Sequence, residues 1–117
     1  MGYTRQQNLE HFEQVVAQEN AIWLALRSER LVGLLAYREG YVDQLFVEPS
    51  DQRTGVGRAL LEKAKDLSPE RLELYTHQRN ARARVFYESQ GFEPVAFGTS
   101  PPPESEPDVT YVWRFGS

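Results

Sequence analysis

The stretch NARARVFYESQGF at residues 80–92 decides the fold that we expect for this chain. Its pattern predicts a helix that Gly91 ends as a C-terminal cap. Asn80 and Tyr87 are seven residues apart and therefore lie on one face of this helix, with Ala83 between them. A small residue at Ala83 would let a ligand chain run close to the helix. The alternative roles are a helix N-cap for Asn80 and an aromatic anchor between helix and sheet for Tyr87.

A second segment, QRTGVG at residues 52–57, has the composition of an anion site. It follows a predicted strand and opens a predicted helix, whose first amide groups and positive dipole end attract anions. Gly55 and Gly57 allow backbone conformations that expose consecutive N–H groups, and Arg53 and Arg58 would add positive charge. The plain alternative is a tight turn into a helix. The segment lacks the Gly-Lys-Ser/Thr of magnesium–nucleotide loops, and the chain lacks the repeated βαβ units of a dinucleotide fold.

Composition is that of an ordinary globular protein and predicts one domain over residues 1–117. The net charge of −4 argues against general nucleic-acid binding. The absence of cysteine excludes disulfides, thiolate metal sites and cysteine nucleophiles. No apolar run has the length of a membrane span and no signal-peptide pattern is present, so we expect a cytoplasmic protein without a membrane partner.

Hydrophobic periodicity predicts a mixed α/β layer with the order α-βββ-α-β-α-ββ, in which helices pack on a largely antiparallel sheet. Short links between the first three strands favour hairpins. A proline-rich acidic segment near the C-terminus is expected to be a stiff, exposed loop. The predicted helices are residues 8–19 (with Asn8 as N-cap), 56–66 and 79–90; the predicted strands are Ala21–Arg27, 31–38, Tyr41–Val47, 72–76, 92–97 and 109–115; the acidic loop is residues 98–108.

Together, the two segments resemble the GCN5-related N-acetyltransferase (GNAT) superfamily. Residues 52–57 follow its pattern Gln/Arg-x-x-Gly-x-Gly/Ala, and residues 80–92 follow its pattern Asn-x-x-Ala-x-x-Phe-Tyr-x-x-x-Gly-Phe. The resemblance runs from Ala21 to Phe92. It implies a GNAT-like α/β fold, acetyl-CoA as co-substrate without a metal, and direct acetyl transfer to an amine acceptor by an acyltransferase.

In this superfamily a tyrosine at the position of Tyr87 acts as general acid and protonates the departing thiolate. The resemblance also implies that strand Tyr41–Val47 and the strand at residues 72–76 splay apart, so that backbone groups of Leu45 and Val47 bind the pantetheine amides. A backbone N–H there would polarise the acyl oxygen. The implied cofactor-binding residues are Leu45, Phe46, Val47, Gln52, Arg53, Thr54, Gly55, Val56, Gly57, Arg58, Asn80, Ala83, Phe86 and Tyr87, although the pattern alone favours a plain core role for Phe86.

The base that deprotonates the acceptor ammonium stays open. The candidates are Asp43, His77 and, less favoured, Tyr41 and Glu48. Strand alternation places Asp43 on the face of Leu45 and Val47, and aspartate is disfavoured inside strands. A solvated position or an arginine partner is the alternative for Asp43, and an exposed loop position is the alternative for His77.

Charged clusters near the second helix have two readings each. The first cluster would contact the 3′-phosphate of the cofactor and consists of four basic residues, His77, Arg79, Arg82 and Arg84. The alternative is a solvated helix face balanced by Glu88. The acidic loop at residues 98–108 would attract a cationic amine, or only keep the surface soluble. The acceptor itself is not identified by any of these residues.

The start of the chain departs from the family pattern. The family usually has a strand and one or two helices before its second strand, whereas about 20 residues precede Ala21 here, which predicts one helix and no first strand. The chain would then be a minimal member, a truncated one, or one whose sheet is completed by a partner in a homodimer. Two other functions compete with catalysis: a non-catalytic acyl-CoA-binding regulatory module and, less favoured, a nucleotide-binding interaction domain.

Overall fold

The computed structural model describes residues 11–16 and 21–116. The chain divides into two compact units, the first ending at Ser68 and the second starting at Pro69. Each unit contains its own antiparallel strands and one α-helix. The single domain predicted over residues 1–117 stays a prediction.

The first unit is an antiparallel meander with a helix on it. Each strand pairs with the next along the chain, and the two residues between β2 and β3, Ser28 and Glu29, have φ of 53° and 61°, as a tight hairpin turn requires. A 3-10 turn, Pro49–Asp51, precedes the helix. The elements are β1 (His11–Val16), β2 (Ala21–Arg27), β3 (Arg30–Arg38), β4 (Tyr41–Val47) and α1 (Val56–Leu67).

Helix α1 packs against β3 and β4 with its apolar face. Val56, Leu60, Leu61 and Ala64 are buried on that face at helical spacing. At Gly33 in β3 the approach is so close that an added Cβ would lie 2.8 Å from Val56 Cγ1 and 2.9 Å from Leu60 Cδ1. A residue without a side chain is therefore required where α1 crosses β3.

The second unit holds three antiparallel strands in the order β5-β7-β6 and a short helix. Its core is formed by the buried side chains of Leu72, Leu74, Phe92, Val109 and Tyr111. Strand β7 pairs on both sides, whereas all residues of β6 are exposed. The elements are β5 (Arg71–His77), α2 (Ala81–Ser89), β6 (Glu93–Thr99) and β7 (Pro107–Arg114).

The predicted helix over residues 8–19 is wrong where the structure describes it. Residues 11–16 form β1 and pair with β2, from His11 opposite Leu26 to Val16 opposite Ala21. A six-residue segment with apolar Phe12 and Val15 fits both the helical and the strand periodicity. It forms a strand because the backbone N–H and C=O groups along this edge of β2 need hydrogen-bond partners, which β1 supplies by long-range pairing. Residues 8–10 and 17–19, with the predicted cap at Asn8, lie outside the described residues.

The expectation that no strand precedes Ala21 is wrong for the same reason, and the described elements run ββββαβαββ. A homodimer that supplies a missing strand therefore loses its basis. The other predicted strands and both other helices are confirmed to within two residues, as is the mixed, mostly antiparallel α/β class. Among the described helices, none is long and apolar enough to span a membrane.

Candidate active site

The glycine loop, residues 52–57, connects the 3-10 turn to α1 in the first unit. Gly55 is the N-cap of α1 and has φ of 92°, in the left-handed region that glycine adopts without strain. Within residues 11–16 and 21–116 no side chain caps this helix, so no described side chain occupies the amide N–H groups to which an N-cap would bond, and these groups suit an anion. Gly57, in contrast, lies within α1 and does not use a left-handed conformation.

A buried carboxylate, that of Asp51, directly precedes the glycine loop, and the sequence alone did not predict its burial. The Asp51 side chain is 5% exposed and accepts hydrogen bonds from Arg30 Nη1 (2.8 Å) and Nη2 (3.1 Å), from Arg27 Nη1 (3.2 Å) and from Ser50 Oγ (3.1 Å). The bond from Arg30 lowers the pKa of the Asp51 carboxyl, against the opposing effect of burial. We call Arg27, Arg30 and Asp51 the loop clamp.

Strand β4 carries the candidate base, and its geometry corrects one expectation. Ala36 pairs with Gln44 and Tyr37 with Val42, so Asp43 is an extra residue in a β-bulge. Alternation does not pass through a bulge, so the argument that placed Asp43 on the face of Leu45 and Val47 is wrong. Asp43 is exposed.

Further along β4, the residues predicted to meet the cofactor are partly accessible. Leu45 and Val47 are half-buried and Phe46 is 46% exposed. The side-chain amide of Gln52 donates to the Val47 carbonyl at 3.3 Å, so the glutamine of the motif connects the loop to β4. The splay between β4 and the strand at residues 72–76 stays a prediction.

Helix α2 begins and ends with well-defined caps in the second unit. Asn80 is its N-cap, with Oδ1 accepting from the Ala83 amide at 3.1 Å, so the capping role is confirmed. At the other end Gly91 has φ of 90°, its N–H donates to Glu88 O, and the Phe92 N–H donates to Tyr87 O. This pair of bonds is the Schellman motif, and it confirms the predicted glycine cap.

The Schellman motif also explains the spacing around Tyr87. In this motif the residue after the glycine, here Phe92, commonly packs on the residue three positions before the C-cap residue Gln90, which is Tyr87. Their rings lie 5.9 Å apart edge-on, and the Tyr111 ring lies 6.1 Å from Tyr87. Phe86 is half-buried rather than part of the core. The sequence Tyr-x-x-x-Gly-Phe thus fixes the position of the tyrosine ring.

The hydroxyl of Tyr87 differs from that of its neighbour Tyr111. Tyr111 is fully buried; its hydroxyl donates to Glu88 Oε2 at 2.6 Å and accepts from Arg84 Nε at 3.1 Å. Tyr87 is half-buried, and its hydroxyl has no hydrogen-bond partner within the part of the chain that the structure describes. Burial raises the pKa of Tyr87 to about 12, so this hydroxyl is protonated near neutral pH.

The basic cluster of the second helix is partly used by the fold. Arg84 bonds to Tyr111 and to the Gln78 carbonyl, and Arg79 pairs with Glu106 of the acidic loop at 3.4 Å. The Tyr111 hydroxyl bonds to both Arg84 and Glu88 and so links these two side chains. Arg82 is exposed. His77 is the last residue of β5, and its buried Nδ1 has no hydrogen-bond partner among residues 11–16 and 21–116.

Both segments that carried the resemblance form defined local structures: a glycine-started helix in the first unit, and in the second a helix whose Asn-to-Phe motif holds Tyr87. The sequence model of the acetyltransferase (GNAT) domain matches residues 2–100. The chain belongs to the GNAT family. The resemblance carried by residues 52–57 and 80–92 is thereby confirmed.

Two curated relatives of this GNAT chain are enzymes with different names. The mycothiol acetyltransferase of Beutenbergia cavernae is 46% identical over 61 residues, which are 49% of this chain and 20% of that protein. The peptidyl-lysine N-acetyltransferase YjaB of Escherichia coli K12 is 33% identical over 76 residues, which are 64% of this chain and 51% of YjaB. The chain therefore spans about half the length, or less, of the curated relatives that it matches.

Solved structures share the fold of this GNAT chain. The solution structure of apo-form YjaB from Escherichia coli gives a TM-score of 0.74 at 26% identity, over 82% of this chain and 65% of YjaB. A Bacillus anthracis protein solved in complex with acetyl coenzyme A gives 0.76 at 21% identity, over 86% of this chain and 65% of that one.

Proposed function

We propose that this chain is an acetyl-CoA-dependent N-acetyltransferase that transfers the acetyl group directly to an amine, with Tyr87 as general acid. The observation that carries the proposal is the Tyr87 hydroxyl, which is positioned by the Schellman motif and protonated near neutral pH. Its hydrogen stays available for a ligand, whereas the Tyr111 hydroxyl is already bonded.

The first unit supports the binding of acetyl-CoA through its glycine loop. A pyrophosphate suits the uncapped start of α1, since several amide N–H groups and the helix dipole favour negative charge there. Arg53 and Arg58 are both exposed next to this start and would add positive charge. The remaining predicted residues of this unit, Leu45, Phe46, Val47, Gln52, Thr54, Gly55, Val56 and Gly57, are proposed to bind the phosphates and the pantetheine arm.

The second unit supports the thioester end of the co-substrate. The Oδ1 atom of Asn80 is used as a cap, whereas its Nδ2 hydrogens have no acceptor among the described side chains and backbone, and so suit a pantetheine carbonyl. Ala83 leaves room for the arm, and Phe86 would line it. A curated relative is named for lysine side chains and another for mycothiol, so the proposed acceptor is stated only as an amine.

In the proposed reaction, the neutral amine attacks the thioester carbonyl carbon, the C–N bond forms and the C–S bond breaks. The sulfur takes a proton as it departs, and the nitrogen loses one to a base or to water. Tyr87 donates to the sulfur. Asp43, which is exposed, is proposed as base. His77 is the alternative, because its buried Nδ1 has no acceptor or donor in the described chain.

The test is Tyr87→Phe, which removes the hydroxyl and keeps the ring contacts with Phe92 and Tyr111. We expect kcat for acetyl transfer to fall about 100-fold or more while the Kd of CoA stays within about twofold. The assay is thiol release from acetyl-CoA with a panel of small amines, polyamines and lysine peptides. Tyr75→Phe is the matched control, since Tyr75 is 54% exposed on β5 and should keep full activity.

Unchanged kcat in Tyr87→Phe would contradict the acid role. CoA binding without thiol release from any amine would instead favour the non-catalytic acyl-CoA-binding module. Competition between ATP and CoA would favour the nucleotide-binding domain. Cytoplasm stays the proposed compartment, and size-exclusion chromatography with light scattering would test for a homodimer.

A further inference from the structure

The loop clamp joins the residue that precedes the glycine loop to the β2–β3 hairpin, which is distant in sequence. Arg27 and Arg30 flank the tight turn between β2 and β3, and both guanidinium groups converge on the buried Asp51 carboxylate, 24 and 21 residues further along the chain. Arg30 approaches with two nitrogens, which is the geometry that fixes a carboxylate most firmly.

The same clamp reaches the other end of the turn at residues 51–54. Arg27 Nη1 donates to Asp51 Oδ1 at 3.2 Å and to Thr54 Oγ1 at 3.3 Å, so one nitrogen bridges the two ends. Thr54 Oγ1 in turn donates to the Asp51 carbonyl. Side chains therefore hold the two ends of the segment at residues 51–54 together, in addition to the backbone bonds of the 3-10 turn.

The loop needs such support because its backbone is not relaxed. Arg53 has φ of 65°, in the left-handed region that a residue with a side chain rarely adopts. A buried ion pair is weak evidence for stability, since apolar replacements of similar size often stabilise a protein as well. One recurrent use of buried charges is to select one conformation, and here that conformation orients the first amides of α1.

We propose that the loop clamp positions the glycine loop for the pyrophosphate of the co-substrate, which makes Asp51 a positioning residue for acetyl-CoA binding. This inference rests on the proposed function. The clamp carries two positive charges and one negative charge, so removing the carboxylate makes the surroundings of the loop more positive. Charge alone then predicts tighter binding of CoA, whereas loss of positioning predicts weaker binding, and the two explanations have opposite signs.

The experiment compares Asp51→Asn with Glu73→Gln, which removes one negative charge from the exposed Arg71–Glu73 pair in the second unit. For Asp51→Asn we expect the KM of acetyl-CoA and the Kd of CoA to rise about tenfold, the effect of a lost hydrogen bond to a charged group. We expect kcat at saturation to stay within about twofold, since the contact proposed for the loop is with the pyrophosphate and not with the acyl group. Glu73→Gln should match the wild-type protein in every value.

A ligand without phosphates separates positioning from general damage. Acetyl-pantetheine has the thioester arm and no pyrophosphate, so its affinity should be the same in Asp51→Asn and wild type. A partly unfolded variant would instead lose Vmax at unchanged KM. If Asp51→Asn does not fold, Ser50→Ala serves in its place, because it removes one hydrogen bond to Asp51 Oδ2 without changing any charge. Loss of positioning then predicts a smaller rise in the KM of acetyl-CoA, whereas charge alone predicts no change.

Three results would overturn the inference. The first is a folded Asp51→Asn, or Ser50→Ala in its place, with unchanged or lower Kd for CoA. The second is an equal loss of affinity for CoA and acetyl-pantetheine. The third is a wild-type protein that does not bind CoA, which overturns the proposed function as well. The first two leave the proposed function intact, so the two failures are distinguishable.

Discussion

Replacing Gly33 with alanine tests how closely α1 is held against β3. The new Cβ would lie 2.8 Å from Val56 Cγ1, 2.9 Å from Leu60 Cδ1 and 3.0 Å from the Phe46 carbonyl oxygen. Carbon atoms in contact prefer about 3.5–4.0 Å, so α1 would have to retreat by roughly 0.7 Å. The third close atom, the Phe46 carbonyl oxygen, belongs to the backbone of β4 and cannot rotate away as a side chain can.

The free energy of unfolding should fall by about 1–2 kcal/mol. Overpacking of a core typically costs about 1–3 kcal/mol. Alanine stabilises relative to glycine by about 0.4–1 kcal/mol through the unfolded chain, which offsets part of that loss. For a chain of this size the net loss lowers Tm by about 4–8 °C. Val56 opens α1, so the same retreat would displace the glycine loop and raise the KM of acetyl-CoA.

Gly98→Ala is the matched control. Gly98 lies in strand β6 at a φ that alanine can adopt, and its added Cβ would meet only Asp108 Oδ1, at 3.3 Å. That oxygen ends a short side chain at a partly exposed position, so it can rotate away, and we expect an unchanged or slightly higher Tm. The measurement is urea unfolding followed by circular dichroism, with Tm by calorimetry. A Gly33→Ala protein as stable as Gly98→Ala would refute the close approach of α1 to β3.

Three further predictions concern α2. Unfolded tyrosine ionises near pH 10 and Tyr87 at about 12, so its contribution to stability is complete below pH 10 and is lost by about pH 12. Urea unfolding at pH 9 and 11.5 should show wild type losing more stability than Tyr87→Phe, by no more than about 3 kcal/mol, and equal losses would contradict the pKa. Asn80→Ala should lose about 1 kcal/mol, whereas Asn80→Asp should keep the cap and still raise the KM of acetyl-CoA, as unfolding and kinetics would show. For Gly91→Ala the free energy of unfolding should fall by about 1–2 kcal/mol in the same assay, because φ is 90° and the new Cβ would lie 3.2 Å from Trp113 Cδ1. A variant as stable as wild type would show that the cap tolerates a side chain.

The second helix could be predicted from the sequence because its determinants are local. Asn80 caps the amide three residues later, and Gly91 ends the helix through bonds to residues three to five positions earlier. Contacts at such short separation appear directly as a spacing of residue types. The position of the Tyr87 ring follows from the same short segment, since Phe92 packs on it at the end of the Schellman motif.

The strand β1 and the loop clamp could not be predicted because their determinants are distant. Residues 11–16 have no local feature that excludes a helix, and their strand conformation depends on pairing with β2. Asp51 looks like one polar residue in a polar loop, and its burial follows only when the β2–β3 turn brings Arg27 and Arg30 to it. Two arginines on either side of a two-residue turn, with an aspartate beside the glycine loop, are the signal that could have indicated the clamp.

The pKa of Tyr87 limits what the proposed acid can do. A phenol that ionises at about pH 12 is a weaker acid than an alkyl thiol, which ionises near pH 8.5, so complete transfer of its proton to a free thiolate is uphill by roughly 5 kcal/mol. Tyr87 would therefore act first as a hydrogen-bond donor, whose bond to the sulfur strengthens as negative charge develops there. Partial burial would serve that role, since it keeps the hydroxyl protonated up to about pH 12, above the pKa of about 10.4 at which a lysine-like amine becomes largely neutral. The same burial that makes Tyr87 a poor acid in isolation would thus make it a constant donor to the leaving group in the proposed reaction.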